Sequence, residues 1–352
     1  MRTLILTGGG TAGHVTPNIA LLPELKKHFD KIIYVGSFGG IEESLAKREN
    51  LPFFAVSTAK LERKLTPKNL LIPFKLTKGI SDAKKIIKSE KPSAIFSKGG
   101  FVSLPTVIAG KKLKIPVISH ESDISVGLAN KISAKYSDLF LTSFDCTRLD
   151  GVKTVFTGSP LNEKLFTPYD RQALLKKYGL SGRKKILLIF GGSSGSLSIN
   201  KIVEKCLYRL VNRYDVIHLC GKGKGENLRK KGYLKFEFCD NIGELFYLCD
   251  LVVSRAGANS LFELTALKKP TLAIPLPKGN SRGDQIENAE YFKKRKMIEV
   301  LKEEDMTENS FYNAVTMLET NANKLSQNCA KTFAKNPNQK IAKLILSTSL
   351  QD

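Results

Sequence analysis

Two glycine runs carry the first chemical signal in this chain. Gly8-Gly9-Gly10-Thr11-Ala12-Gly13 follows the strand-like Thr3–Thr7, and Gly191-Gly192-Ser193-Ser194-Gly195-Ser196 follows the strand-like Lys185–Phe190. A glycine-rich turn that opens a helix leaves unpaired backbone N–H groups at the positive end of the helix dipole, a setting that favours phosphate. Tight strand-to-helix turns also need glycine for their own geometry. The repetition is what points to function. One phosphate site in each half, facing a common cleft, suits a reaction between two phosphorylated substrates.

Gly8-x-Gly10-x-x-Gly13 also fits the dinucleotide fingerprint, which wants an acidic residue about 20 positions further on to grip a ribose. Here the second strand-like run, Ile32–Val35, leads into Gly36-Ser37-Phe38-Gly39-Gly40, and the nearest acids, Glu42 and Glu43, come too late. His14 follows the fingerprint at once, an unusual neighbour for a pyrophosphate that needs only cradling. A nicotinamide-dependent dehydrogenase is set aside.

The elements that must position these loops are legible as alternating runs. In the first half the strand-like segments are Thr3–Thr7, Lys31–Val35, Phe53–Val56, Ala94–Ser97, Pro116–Ser119 and Leu139–Thr142. In the second they are Lys185–Phe190, Asp215–Cys220, Lys235–Phe238, Leu251–Ser254 and Thr271–Ile274. Short apolar runs separated by helical stretches read as buried parallel strands in βα units. A turn-rich stretch from Thr157-Gly158-Ser159-Pro160 to Pro168 separates the two series, so two doubly wound α/β domains joined near residue 160 are expected.

Bulk composition fits that plan. The 352 residues are enough for two cores, with 42% hydrophobic and 25% charged residues as in ordinary globular proteins. No apolar run reaches the roughly 18 to 20 residues of a spanning helix, and Met1-Arg2 leads straight into a strand with no signal peptide, so a cytoplasmic location is expected. The six cysteines (Cys146, Cys206, Cys220, Cys239, Cys249 and Cys329) form no C-x-x-C pair and sit near no histidine at ligand spacing. They read as buried thiols, with neither disulfide framework nor zinc site.

Fifty-six Lys plus Arg against 33 Asp plus Glu gives a net charge of +23. Such a surplus favours nucleic acid, anionic headgroups or phosphorylated substrates, although a lysine-rich proteome would also produce it. A nucleic-acid-binding module is not expected. The chain has no Trp, no zinc or RNA-binding signature, and no aromatics regularly interleaved with its basic runs.

Six blocks then add up to a family pattern. Thr7-Gly-Gly-Gly-Thr-Ala-Gly-His14 with Pro17, Ser97-Lys98-Gly99-Gly100-Phe101, and His120-Glu121-Ser122-Asp123 through Gly127-Leu128-Ala129-Asn130 stand in the first half. Gly191–Gly195, Ser254-Arg255-Ala256-Gly257-Ala258-Asn259-Ser260 to Glu263, and Arg282-Gly-Asp-Gln-Ile-Glu-Asn288 stand in the second. Their kinds and order resemble the bacterial MurG family of UDP-N-acetylglucosamine transferases. The resemblance implies a GT-B fold, two Rossmann-like doubly wound domains facing a cleft. It implies an acceptor and membrane-associating domain over 1–160, a donor domain over 161–335, and a final helix in 336–352 that returns to the first domain.

The implied reaction moves GlcNAc from UDP-GlcNAc to the C4 hydroxyl of MurNAc in lipid I, with inversion, giving lipid II. No metal and no cofactor are expected, since UDP-GlcNAc is a substrate. The implied place is the cytoplasmic face of the cell membrane, with an anionic membrane surface and proteins of cell-wall synthesis and division as partners. The nearest enzyme alternative is a lipid glycosyltransferase of the same fold that acts on diacylglycerol. It would share the donor blocks but should lack the paired glycine loops at 8–13 and 99–100.

The resemblance also distributes roles. Glu263 is expected on the ribose hydroxyls, Ser193 on the diphosphate, and Ser260, Gln285 and Asn288 on phosphate and sugar hydroxyls. Cys239 is expected to meet the uracil through its backbone. Further donor contacts fall on Thr11, Ala12, Gly13, Asp123, Asn162, Ala258 and Asn259, and acceptor contacts on Gly9, Gly10, Lys98, Gly99 and Gly100. An inverting transfer needs a base near the acceptor hydroxyl. His14 is the first choice and Glu121 the second, with His120 in support of Glu121, while His28 and His218 read as ordinary residues. One departure stands out: the family's interdomain motif ends in Arg where this chain has Asn162. Asn162 cannot supply a bidentate charge, which leaves Lys164 or the helix after Gly195 to meet the diphosphate.

The acceptor's lipid implies a membrane face. Lys60–Lys91 holds ten Lys or Arg against three acids, around Leu70-Leu71-Ile72-Pro73-Phe74, Leu76 and Ile80. Basic side chains around exposed apolar ones are expected of an interfacial anchor, although part of the patch must pack on its own domain.

Overall fold

The computed structural model describes residues 1–58, 72–192, 195–279, 282–332 and 336–350. The chain divides into two compact units, residues 1–162 with 336–352, and residues 163–335. In the first unit the strands are β1 (Thr3–Thr7), β2 (Lys31–Ser37), β3 (Phe53–Val56), β4 (Ala94–Ser97), β5 (Val117–Glu121), β6 (Leu139–Thr142) and β7 (Thr154–Phe156). Its helices are α1 (Ala12–Ala20), α2 (Leu22–Leu25), α3 (Ile41–Arg48), α4 (Ile72–Glu90), α5 (Leu104–Lys112) and α6 (Leu128–Ala134). Among the described residues the seven strands form one parallel sheet in the order β3-β2-β1-β4-β5-β6-β7.

Every residue of β1 is buried, as expected of a strand covered on both faces. Leu4 and Leu6 join a core on one face with Tyr34, Phe96 and Ile118, while Ile5 joins Ile33, Val35 and Ile95 on the other, under Ala83 and Ile87 of α4. The last helix of the chain, α13 in order (Pro337–Ser349), places Ile341, Ala342 and Ile345 in the first of these cores. Burying an aliphatic side chain is worth roughly 1.5 to 3 kcal/mol, so these residues hold the helix firmly. Asn338 fastens its start: Nδ2 donates to the carbonyls of Ala20 and Leu161, and Oδ1 accepts from Leu161 N.

The second unit repeats the plan with β8 (Lys185–Phe190), β9 (Tyr214–Leu219), β10 (Leu228–Lys230), β11 (Tyr233–Phe236), β12 (Leu251–Ser254), β13 (Thr271–Ala273) and β14 (Glu299–Val300). Its order is β10-β11-β9-β8-β12-β13-β14, parallel except for the β10–β11 pair. Its helices are α7 (Arg171–Tyr178), α8 (Leu197–Arg213), α9 (Ile242–Leu248), α10 (Ala258–Ala266), α11 (Asp284–Lys294) and α12 (Glu308–Thr332). In both sheets the strand order reverses beside the first strand, between β1 and β4 and between β8 and β12. Ligands of doubly wound folds bind outside the carboxyl ends of the strands at such a switch point. The glycine runs expected to bind phosphate leave from those strands.

Candidate active site

In the first unit, three loops meet at the switch point. The loop after β1 is held from below by Glu42 of α3, a fully buried carboxylate that accepts from Gly10 N at 3.3 Å, Ser37 N at 3.0 Å and Ser37 Oγ. A Cβ on Gly9 would lie 2.6 Å from that carboxylate, which is why the loop needs glycine there. The acid too late in sequence for a ribose is the anchor of the loop itself. Gly9 is buried, whereas Gly10 is exposed with its amide donating to Glu42.

Gly99 and Gly100 follow β4 with φ of 89° and 79°, the left-handed region that glycine enters without strain. An added Cβ on Gly99 would strike the Asn130 side chain; on Gly100 it would lie 2.5 Å from Gly9 O and 3.2 Å from His14 Nδ1. The two glycine loops are thus in contact, and His14 stands where they touch. The His14 ring is half-buried, with Nδ1 3.1 Å from Thr11 Oγ1. Thr11 and Gly13 are exposed and Ala12 is half-buried, all at the start of α1.

Glu121 is not arranged as a base. Its buried carboxylate accepts from Ser122 N (2.7 Å), Asp123 N (3.0 Å), Gly127 N (3.0 Å) and Asn130 Nδ2 (3.0 Å). With both oxygens occupied by loop donors it folds the segment after β5, and that is its work here. His120 supports not Glu121 but Lys98, whose Nζ lies 2.7 Å from His120 Nδ1 and 2.8 Å from Ser122 Oγ. Lys98 is fully buried, so it does not reach out to an acceptor as the sequence suggested. Burial pushes its pKa down to about 7, against the upward pull of Glu121 and Asp123. Asp123 is half-buried in the same loop.

In the second unit the switch point is held by a residue to which the sequence pattern assigns no role. Arg255, at the end of β12, is buried and donates to Ser196 Oγ at 2.7 Å, Ser198 Oγ at 2.8 Å and the carbonyl oxygens of Ile274 and Pro275. It also pairs with Glu303. Ser196 is the N-cap of α8 and accepts from Ile199 N, so the guanidinium sits at the entrance to that helix. Lys224 Nζ donates to Gly195 O at 3.1 Å from the neighbouring Gly221-Lys222-Gly223-Lys224-Gly225 loop. Ser193 lies outside the described residues.

Glu263 lies in the second turn of α10, partly buried, and no hydrogen bond or ion pair reaches its carboxylate among the described residues. Burial pushes its pKa up to about 7. Asn259 and Ser260 are half-buried in the first turn of the same helix, and Ala258 is buried. Gln285 Oε1 accepts from Leu276 N at 3.0 Å. Asn288 is fully buried against Ala256 O at 3.5 Å, so it shapes the turn after β12 instead of reaching the sugar as expected. Cys239 is half-buried between β11 and α9, Cys146 is exposed, and the four remaining thiols are buried. Asn162 is half-buried at the junction between the units. No group of three or more His, Cys, Asp or Glu among the described residues is placed to hold a metal ion.

Residues 4–141 match the model of the glycosyltransferase family 28 N-terminal domain, and residues 186–345 that of its C-terminal domain. The chain is 47% identical over 350 residues to a Clostridium botulinum (strain Loch Maree / Type A3) protein, covering 98% of this chain and 99% of the relative. That relative is named UDP-N-acetylglucosamine–N-acetylmuramyl-(pentapeptide) pyrophosphoryl-undecaprenol N-acetylglucosamine transferase. The chain belongs to the MurG family. A Clostridium tetani member is 43% identical over 349 residues, covering 98% of this chain and 97% of its own length. The crystal structure of Acinetobacter baumannii MurG superposes with a TM-score of 0.75 at 22% identity, covering 99% of this chain and all of that one, which supports the fold. The two parallel-sheet units are those of a GT-B glycosyltransferase.

The structure brings some of the expected site residues together and draws others into the scaffold. His14, Thr11, Gly99 and Gly100 come together, as do Ser260 and Glu263. Glu121, Lys98 and Asn288 are drawn into the scaffold. Glu42 and Arg255 were missed because their signal is three-dimensional: each is a charged residue whose partners lie on other elements.

Proposed function

We propose that this chain transfers N-acetylglucosamine from UDP-N-acetylglucosamine to the C4 hydroxyl of the MurNAc sugar of lipid I, with inversion, to form lipid II. The observation that carries this reading is the 47% identity, over nearly the whole length of both chains, to a protein named for that transfer. The site geometry supplies a role for each half.

On the donor side, Glu263 accepts the two ribose hydroxyls of UDP. A partly buried carboxylate without partners is costly, and two O–H donors offset that cost when the nucleotide is bound. The diphosphate meets the start of α8 and Ser193, where Arg255 and Lys224 add the positive charge that Asn162 cannot. Gln285 offers its amide N–H groups to the sugar.

On the acceptor side, His14 is the base. With Nδ1–H donating to Thr11 Oγ1, the Nε2 lone pair takes the proton of the C4 hydroxyl as its oxygen attacks the anomeric carbon. The bond from that carbon to the UDP oxygen breaks, and negative charge builds on the diphosphate at the start of α8. Atoms balance with UDP and a protonated His14, and no separate cofactor enters.

A membrane-resident acceptor requires a membrane face on the first unit. No helix among the described residues is long and apolar enough to cross a bilayer. Residues 59–71, which include the first part of the basic stretch with Leu70 and Leu71, lie outside the described residues. The start of α4 fits an interfacial contact. Gly79 and Asp82 of α4 meet Ser57 just past the end of β3. The helix residues before Gly79, from Ile72 on, extend about 10 Å from that contact, at 1.5 Å per residue. Phe74 on that stretch is 74% exposed, flanked by exposed Lys75 and Lys78, and Phe38 in the loop after β2 is equally exposed. Leu76 and Ile80 are half-buried, so this part of the patch is shared with the domain's own packing. The membrane meets the edge from which the glycine loops leave. The cytoplasmic leaflet is the side of the reading, since UDP-sugars are its donors.

The test is release of UDP by the purified chain with a lipid I analogue or diacylglycerol as acceptor and several UDP-sugars as donors. The reading requires turnover with UDP-N-acetylglucosamine and the lipid I analogue. Turnover with diacylglycerol alone would move the chain to the lipid glycosyltransferases.

A further inference from the structure

A buried ammonium costs several kcal/mol unless something uses its charge. Lys98, the first residue beyond β4, is 0% exposed, yet its two hydrogen-bond partners, His120 Nδ1 and Ser122 Oγ, are neutral. The histidine cannot take the charge over. Its Nε2 lies 3.1 Å from Gly158 O, which only accepts, so Nε2 carries the hydrogen and Nδ1 is left to accept from Lys98. Burial, then the Lys98 charge, hold His120 well below its ordinary pKa. Glu121 and Asp123 favour the charge but do not offset its burial, and a methionine would fill the same volume at less cost, so the charge calls for an explanation.

Its position offers one. Lys98 N donates to Thr7 O, and a Cβ on Gly8 would lie 3.2 Å from Lys98 Cβ, so the side chain starts beneath the first glycine loop. The next two residues are Gly99 and Gly100 of the second loop. Its ammonium ends at the loop that Glu121 folds. One residue therefore links all three loops: its backbone bonds Thr7 before the first, its chain runs on into the second, and its ammonium bonds Ser122 in the third. We infer that Lys98 is a positioning residue for the acceptor's pyrophosphate, its buried ammonium holding the loops in register and fixing a positive charge beneath them. This rests on the acceptor reading given above.

The charged and titratable groups facing Lys98 come from few elements. His120 and Glu121 lie on β5 and Asp123 in the loop after it; His14 and Glu42 belong to the neighbouring first loop and its anchor. Thr157 and Gly158, from the segment after β7, are uncharged. With the Lys98 pKa at about 7, the charge is present below that pH and fades above it. Acceptor affinity should then weaken as pH rises.

The experiment is the acceptor KM of the full chain, with a soluble lipid I analogue at saturating UDP-N-acetylglucosamine. In wild type it should rise about tenfold between about pH 6 and pH 8.5, the scale of one charge-assisted contact. In Lys98→Met it should be high and independent of pH, with UDP affinity unchanged, a pattern that a merely structural lysine would not give. A Lys98→Met protein whose acceptor KM follows the wild-type profile would overturn the inference. If that variant does not fold, Ser122→Ala removes one neutral partner of the ammonium and should move the midpoint of the wild-type profile to lower pH. An unmoved midpoint overturns the inference too. Absence of wild-type turnover with the analogue would instead sink the acceptor reading, and this inference with it.

Discussion

Arg255 Nη2 donates to Ser196 Oγ at 2.7 Å, joining the turn after β12 to the N-cap of α8 across the switch point of the second sheet. Because the guanidinium also pairs with Glu303 and binds the carbonyls of Ile274 and Pro275, it is the hub of the donor half. A planar fork of five donors can serve those partners at once; an ammonium cannot.

Arg255→Met should therefore destabilise the protein by roughly 3 kcal/mol, since it leaves Glu303 and two buried carbonyls unpaired. Arg255→Lys should recover little of that loss. Urea unfolding reads the difference. A methionine variant within about 1 kcal/mol of wild type would show that the hub is dispensable.

Glu263 makes donor binding pH-dependent. Its folded pKa of about 7 lies above the ordinary carboxylate value, so the neutral form is favoured in the free protein. The stability this confers is complete below the unfolded pKa and is lost as pH rises to about 7. Accepting two ribose hydroxyls favours the charged form, so UDP affinity should rise about tenfold between about pH 6 and about pH 8 as the ionised fraction grows. Glu263→Gln should bind UDP weakly at both, and should be more stable than wild type at the higher pH. Calorimetric affinity that is flat in wild type would remove Glu263 from the ribose.

Much of this was legible in the sequence, for physical reasons that also mark where legibility stops. The buried parallel strands announce themselves as apolar runs; β1 and β8 lie where the composition puts them. Strands β7, β10 and β14 escaped because they are short edge strands, and Leu228-Arg229-Lys230 is wholly exposed with no apolar pattern to read. The glycine loops were visible because φ above zero and close backbone approach restrict the residue type. What a loop is packed against is not written in its own residues. Glu121 looks like any acid after a strand until four donors converge on it, and Lys98 looks like a surface cation until its burial is known. Asn338 bonding to Leu161 and Ala20 spans 177 and 318 positions, beyond any local pattern.

The membrane face can be tested apart from chemistry. Phe74→Ser with Lys75→Glu should reduce binding to anionic vesicles, since each surface cation is worth about 1 kcal/mol there, while UDP affinity is unchanged. Binding of wild type should weaken with salt. Equal partitioning of the two proteins would put the membrane face elsewhere.

His14→Ala should lower turnover by about 10²- to 10⁴-fold, the scale of a positioned base, with UDP affinity nearly intact. Glu121→Gln should act differently: the loop after β5 loses part of its anchor, so stability falls along with turnover. A His14→Ala protein that keeps more than half of wild-type turnover would reduce His14 to a shaper of the glycine loop.

The most direct test of the central claim is the structure of the product. Wild-type protein incubated with UDP-N-acetylglucosamine and a lipid I analogue should give one new disaccharide, and the anomeric proton coupling in its NMR spectrum should report a β linkage to the MurNAc C4 oxygen. That is the outcome of a single inverting displacement assisted by His14. An α linkage, a different acceptor oxygen, or free N-acetylglucosamine as the main product would contradict the account.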